Sequence, residues 1–193
     1  MIYVAKVLAL AGSTRAGSLN KRLIKVDAAA AQKTGAQVTL IDLRDYPMPL
    51  YDGDLEAEKG IPEHAMRFKQ LMLGNDGLLL ACPEYNSSIP GVLKNAIDWA
   101  SRSAPGEEEL ACFRGKVAAL TSASPGALGG LRSLMHVRQI LGNIGVLVLP
   151  EQVAVPKAHE AFNDDGTLKD ARRQQAIERL ATALTQTLVK LKG

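Results

Sequence analysis

The sequence predicts an α/β fold of the doubly wound kind, a parallel sheet of five strands with helices on both faces, and three observations predict it. Five short runs rich in Val, Leu, Ile and Ala recur along the 193 residues. Each run is dominated by apolar residues, as a strand buried on both faces requires. Stretches with apolar residues at helical spacing separate the runs. Consecutive parallel strands need a long connection, a helix supplies it, and right-handed crossovers put helices on both sides of the sheet. For five strands the economical order is 2-1-3-4-5. Its ligand crevice lies beyond the carboxyl ends of strands 1 and 3, where the order reverses.

The elements follow in turn. "VAKVLALA" (4–11) is the first strand, and Leu19, Leu23, Val26 and Ala30 mark the helix after it. "AQVTLIDL" (36–43) is the second strand; "RDYPMPLYDGDLEAEKGIP" (44–62) is punctuated by prolines and reads as a long connecting loop. Ala65, Phe68 and Met72 share a helical face before the third strand, "GLLLAC" (77–82). Leu93, Ile97 and Ala100 mark the next helix, and "GEEEL" (106–110) reads as a solvated loop. "KVAALTSA" (116–123) is the fourth strand, followed by a less regular helix through Leu131, Leu134 and Ile140. "GVLVLP" (145–150) is the fifth, and Ile177, Leu180, Leu184, Leu188 and Leu191 define a terminal helix. With 47% hydrophobic residues the chain has ample material for one core, so residues 1–193 are expected to form a single domain.

Composition excludes several functions. The net charge of +3 arises from 23 basic and 20 acidic side chains with no basic block and few aromatics, which argues against nucleic acid. The N-terminal apolar run contains Lys6 and ends in a glycine turn, short of the roughly 20 residues a bilayer needs. A cytoplasmic protein with no membrane partner is expected. Cys82 and Cys112 form no CxxC, and His64, His136 and His159 are dispersed, so neither a metal site nor a disulfide framework is indicated.

The first crevice loop, "GSTRAGSLN" (12–20), follows strand 1 directly. Gly12 and Gly17 have the spacing of a triphosphate-binding loop, but Ser18-Leu19 stands where Lys followed by Ser or Thr is required. The dinucleotide fingerprint GxGxxG is absent as well, although Asp42 at the end of strand 2 could mimic its ribose-binding acid. What remains is hydroxyls at Ser13, Thr14 and Ser18, the Asn20 amide, and Arg15 above a helix N-terminus. Free N–H groups and a helix dipole of about half a positive charge favour an anion there, and one phosphate monoester fits. The plainer reading is that the glycines turn the chain and Ser18 caps the helix.

The second loop opens "CPEYNSSIPGVLKNAIDWAS" (82–101), in which Ser87 or Ser88 is expected to cap the next helix with Pro90 in its first turn. "GSTRAGSLN" together with "PEYNSSIPGVLKNAIDW" closely resembles the NADPH-dependent FMN reductase family, a flavodoxin-like group that includes quinone, chromate and azo-compound reductases. The resemblance runs through "SASPGALGGLRSLMHVRQIL" to the terminal helix. It implies a flavodoxin-like three-layer sandwich and FMN as cofactor. Ser13, Arg15, Ser18, Leu19 and Asn20 would hold the FMN phosphate; Pro83, Glu84, Tyr85 and Asn86 would border the isoalloxazine ring; Ser122, Ser124, Gly126 and Gly129 would close its far side. Hydride would pass from NADPH or NADH to FMN and on to a small-molecule acceptor: a quinone, a flavin, a metal oxyanion such as chromate, or an azo compound.

The resemblance also implies a homodimer or homotetramer. No side chain is expected as a catalytic acid or base, because the reacting atom is the flavin N5; Glu84 is not assigned such a role. Trp99 reads as a packing or interface residue, Cys82 as a small buried hydrophobe, and Arg132 and Glu151 as possible ion-pair partners within or between subunits. The competing functions are a flavodoxin-type electron carrier and a flavin-based redox sensor. Carriers are usually strongly acidic, and this chain is mildly basic, which weighs against the first.

Overall fold

The computed structural model describes residues 3–193; Met1 and Ile2, which begin the apolar N-terminal run, lie outside the described residues. Five strands, β1 (Lys6–Ala11), β2 (Gln37–Ile41), β3 (Gly77–Ala81), β4 (Val117–Ala123) and β5 (Leu147–Val155), form one parallel sheet in the order β2-β1-β3-β4-β5. The helices are α1 (Leu19–Lys33), α2 (Gly53–Lys59), α3 (Glu63–Leu73), α4 (Gly91–Ala100), α5 (Leu131–Asn143) and α6 (Ala171–Lys192).

Side chains alternate across the central strands, and each face has its own core. Val7, Ala9, Leu79, Ala81, Val117 and Ala119 point to one side, where they pack with Leu23 and Ala31 of α1 and with Ile177, Leu180, Leu184 and Leu188 of α6. Leu8, Leu10, Leu78, Leu80, Ala118 and Leu120 point to the other, against Phe68 and Met72 of α3, Leu93 and Ile97 of α4, and Leu134 and Leu141 of α5. Each large aliphatic chain so buried contributes about 1.5–3 kcal/mol relative to exposure. This two-sided burial is why the central strands read as unbroken apolar runs.

Four expectations are corrected. The 44–62 segment is not merely a loop: a 3-10 turn occupies Leu43–Asp45 and α2 occupies Gly53–Lys59, with Asp52 Oδ1 accepting the N–H groups of Asp54 and Leu55. Strand β5 runs on past Pro150 to Val155, because the pairing with β4 shifts between Ala118 and Leu120 and the proline falls in that irregularity on an edge strand. Glu107 of the "GEEEL" run is tied down, its Oε2 lying 2.8 Å from the buried Lys69 ammonium. Neither Ser87 nor Ser88 caps α4; Pro90 occupies that position with no side-chain cap.

Candidate functional site

The crevice at the carboxyl ends of β1 and β3 is built by three loops. The first begins with Gly12, whose N–H donates to Ala81 O at 2.9 Å and fastens the end of β1 to β3. A Cβ at Gly12 would lie 2.8 Å from Leu93 Cδ2, so the loop rests directly on α4. Ser18 is the N-cap of α1, accepting the Lys21 N–H at 3.4 Å. Asn20, expected among the phosphate-holding residues, is committed elsewhere: its Nδ2 donates to Ala123 O at 2.8 Å and its Oδ1 accepts from Ala123 N at 2.9 Å. It ties the first loop to the end of β4.

Backbone donors are the principal feature of this loop. Among the described residues, the N–H groups of Thr14, Ala16, Gly17, Ser18, Leu19 and Asn20 find no protein acceptor. Ser18 and Asn20 are buried and Leu19 half-buried, while Thr14, Ala16 and Gly17 are exposed; free donors gathered at a helix start are suited to an anion. Arg15 folds back with Nη2 donating to Gly17 O at 2.6 Å. Ser13 is buried behind it, its Oγ accepting the Arg15 N–H at 3.2 Å.

The second loop turns on a tight hairpin. Tyr85 and Ser88 exchange backbone hydrogen bonds of 3.0 Å in both directions, and Asn86 and Ser87 between them have φ of 50° and 65°. Two left-handed residues in succession are the signature of a type I′ turn. The turn leaves Tyr85 at 55% exposure on the cleft edge. Asn86 sits at its tip, outside the cleft wall. Glu84 faces the start of α5, and Ser88 Oγ lies 2.9 Å from His136 Nδ1 one helical turn further on. Cys82 is buried behind the loop and burial pushes its thiol up to about 12, so it is not a nucleophile.

The third loop is shaped by glycine. Gly129 and Gly130 have φ of 64° and 90°; a Cβ at Gly129 would lie 2.7 Å from Pro156 N, and one at Gly130 would lie 1.8 Å from Ser122 Oγ. Only glycine fits either place. Ser122 is fully buried and donates to Cys82 O at 2.6 Å, so it braces β4 against β3 and does not face the cleft. Gly126 accepts the N–H groups of Gly129 and Lys157, which closes this loop onto the segment after β5.

Arg15, Ser18, Leu19, Asn20, Pro83, Glu84, Tyr85 and Ser124 come together around one cleft, joined by Ala123 and Pro125, which the sequence reading did not select. Ser13, Ser122 and Gly129 are buried behind its loops, and Asn86 and Gly126 sit at exposed turns of them. Pro125 had a signal, since it follows Ser124 directly. The cleft volume of about 190 Å³ is below that of a pocket that encloses a drug-sized ligand, so an occupant keeps one side open. Its chemistry is divided: free N–H groups and the Ser18 hydroxyl at one end, and the apolar surfaces of Leu19, Pro83, Tyr85 and Pro125, interleaved with Glu84 and Ser124, along the rest. That combination fits a phosphate monoester joined to a planar ring. Among the described residues no three His, Cys, Asp or Glu side chains converge to hold a metal ion, and no helix is long and apolar enough to cross a membrane.

Residues 5–160 match the sequence profile of the NADPH-dependent FMN reductase family. An NAD(P)H-dependent FMN reductase of Pseudomonas aeruginosa is 39% identical over 189 residues, covering 97% of each chain. An NAD(P)H:quinone oxidoreductase of Solanum tuberosum is 35% identical over 195 residues, covering 98% of this chain and 96% of that one. Among solved structures, the flavoenzyme NAD(P)H:(acceptor) oxidoreductase FerB of Paracoccus denitrificans superposes with a TM-score of 0.81 at 31% identity, covering 97% of this chain and 98% of that one.

Proposed function

Because the chain belongs to the NADPH-dependent FMN reductase family, we propose that the cleft is its FMN site and that a quinone-type small molecule is its electron acceptor. The protein is an oxidoreductase that uses FMN and NAD(P)H. The single observation that carries the site assignment is the group of six unpaired N–H groups from Thr14 to Asn20 at one end of a cleft whose other walls carry Pro83, Tyr85 and Pro125. A phosphate there would accept charge-assisted hydrogen bonds, each contributing about 1.5–3 kcal/mol.

When bound, FMN supplies the hydride-accepting and electron-donating chemistry. The chain's own residues bind and orient. Thr14, Ala16, Gly17, Ser18 and Leu19 would hold the phosphate through their backbone N–H groups, and the α1 dipole adds to the attraction. Pro83, Glu84 and Tyr85 on one side, and Ala123, Ser124 and Pro125 on the other, would position the ring. The open side of the cleft admits the nicotinamide and then the acceptor, and holding two reactants in contact lowers a barrier by roughly 7–11 kcal/mol. No side chain in the cleft is placed as a general base; Glu84 is engaged by α5.

Mixing the yellow protein with NADPH under anaerobic conditions tests this. Rapid loss of the flavin's visible absorbance, restored by a quinone, is the expected result. A colourless protein that ignores added FMN, or a bound flavin that NADPH does not bleach, would refute it.

The assembly is proposed to be a homo-oligomer formed through the start of α5, where Leu131 and Met135, with Leu128 just before the helix, stand exposed. Light scattering on the purified protein decides this, and a monomer would refute it. A cytoplasmic location is proposed on the two free, buried cysteines, Cys82 and Cys112.

A further inference from the structure

The phosphate loop is held from outside by side chains that the function above does not use. Among the described residues, residues 14–17 make no backbone hydrogen bond to any other backbone group. Apart from the Arg15 N–H held by neighbouring Ser13 Oγ, they are tied by Arg44, which aims its guanidinium at a single acceptor: Nε donates to Thr14 O at 2.9 Å and Nη2 to the same oxygen at 2.6 Å. Arg44 is itself fixed, its backbone N–H donating to Asp42 Oδ1 at 2.9 Å, while Asp42 Oδ2 accepts from Lys21 Nζ at 2.6 Å. Lys21 N donates in turn to Ser18 Oγ. A closed ring thus runs from Thr14 through Arg44, Asp42, Lys21 and Ser18 back to the loop.

This ring does something local contacts do not. The peptide unit is planar, so holding Thr14 O toward the β2 side points the Arg15 N–H the opposite way, where Ser13 Oγ receives it. With both ends of that peptide fixed, the free N–H groups that follow have a defined direction before any anion arrives. A loop ordered beforehand does not lose conformational freedom on binding. Lysine at position 44 could not reproduce this, because an ammonium lacks the fixed fork that puts two donors on one oxygen.

We propose that Arg44, seated by Asp42, is a positioning residue that preorganises the phosphate loop and so sets how much the phosphate adds to FMN affinity. The inference rests on the FMN assignment above. It concerns the phosphate end alone, which allows a test with an internal control: riboflavin carries the same ring without the phosphate.

The experiment is a flavin-fluorescence titration of deflavinated wild type, Arg44→Ala and Arg44→Lys with FMN and with riboflavin. Arg44→Ala is expected to raise the FMN dissociation constant about threefold to tenfold, the worth of an ordinary hydrogen bond, and to leave that of riboflavin unchanged. Arg44→Lys should recover only part of the loss. The melting temperature of the flavin-free protein should not move, because Arg44 is exposed. An unchanged FMN constant in Arg44→Ala, or an equal loss for both ligands, would overturn the positioning role while leaving the FMN site standing. A wild type that binds riboflavin as tightly as FMN would overturn both.

Discussion

Glu84 and Arg132 meet at the N-terminus of α5, where the Glu84 carboxylate does the work of a missing cap. Oε2 accepts the backbone N–H of Arg132 at 3.0 Å and that of Ser133 at 3.3 Å, while Oε1 receives Arg132 Nη1 at 3.2 Å. The helix's own N-cap is Gly130, with no side chain to offer. The cap therefore comes from the loop after β3, and it joins two walls of the cleft. Glu84→Ala should lose about 1–2 kcal/mol of stability and weaken ring binding for FMN and riboflavin alike. Glu84→Gln keeps an acceptor oxygen and should lose less. Urea denaturation of the three proteins checks the order; equal midpoints would show that the cap carries no weight.

Asp27 predicts an unusual dependence on pH. The carboxyl is wholly buried between α1 and β4, with Oδ2 accepting from Thr121 Oγ1 at 2.6 Å and Oδ1 unpartnered. Burial pushes it up to about 7, the Thr121 hydroxyl pulling only partly back. The unfolded chain ionises near 4. The stability that the neutral carboxyl provides is thus full below pH 4 and lost as pH rises through 7. Asp27→Asn, which cannot ionise, should be more stable than wild type at pH 8 by on the order of 3 kcal/mol. At pH 4 it should be equal or less stable, since its amide brings unpaired N–H groups. Denaturant titrations at both pH values test this, and a difference that does not change with pH would contradict it.

Gly130→Ala should be among the most damaging single changes. The added methyl falls on Ser122 Oγ, and the backbone is left-handed there. A loss of roughly 3 kcal/mol or more is expected. Combining it with Ser122→Gly removes the collision but not the backbone strain, so part of the loss should return. A double variant no better than the single would assign the damage to the backbone alone.

Ser87→Gly should stabilise the protein. A serine at φ 65° in the second central position of a type I′ turn costs about 1 kcal/mol that glycine avoids. Thermal unfolding should move upward by a few degrees, and Ser87→Val should move it down. The reverse order would mean that the serine hydroxyl holds the turn.

Arg15→Ala and Ser18→Ala should each weaken FMN retention, by about tenfold if one donor to the phosphate is lost. Ser18→Ala should also cost about 1 kcal/mol of stability, because the α1 cap disappears with it. Tyr85→Ala should change turnover more than FMN affinity, since the ring borders the open side of the cleft. Equilibrium titration and steady-state kinetics separate the two effects. Complete loss of FMN from a folded Tyr85→Ala protein would misplace the ring.

How far the site was legible can be judged residue by residue. Periodicity marks the strand ends whose loops carry Arg15, Ser18, Leu19, Pro83, Tyr85 and Ser124, and the family resemblance singled out these residues within those loops; the structure brings them around one cleft. Asn20 was readable as a member of the loop but not in its task, since its partner Ala123 is 103 residues away. Ser122 sits next to the site in sequence, yet it points to Cys82 because side chains alternate along a strand. Helix α2 had a local signal, Asp52 before "GDLEAEK", which the flanking prolines obscured.

By itself the sequence determined the sheet order, the loops that face the crevice, and the hydroxyl-rich, helix-capping make-up of the first of them. Those features follow from apolar periodicity and short-range turn chemistry, which act between neighbours in the chain. Tertiary structure alone decided that Glu84 caps α5, that Arg44 steadies Thr14, that Gly130 must have no side chain, and that Asp27 is sealed from water. Each of these depends on groups far apart in sequence arriving within a few ångströms, and packing of the finished fold sets that distance.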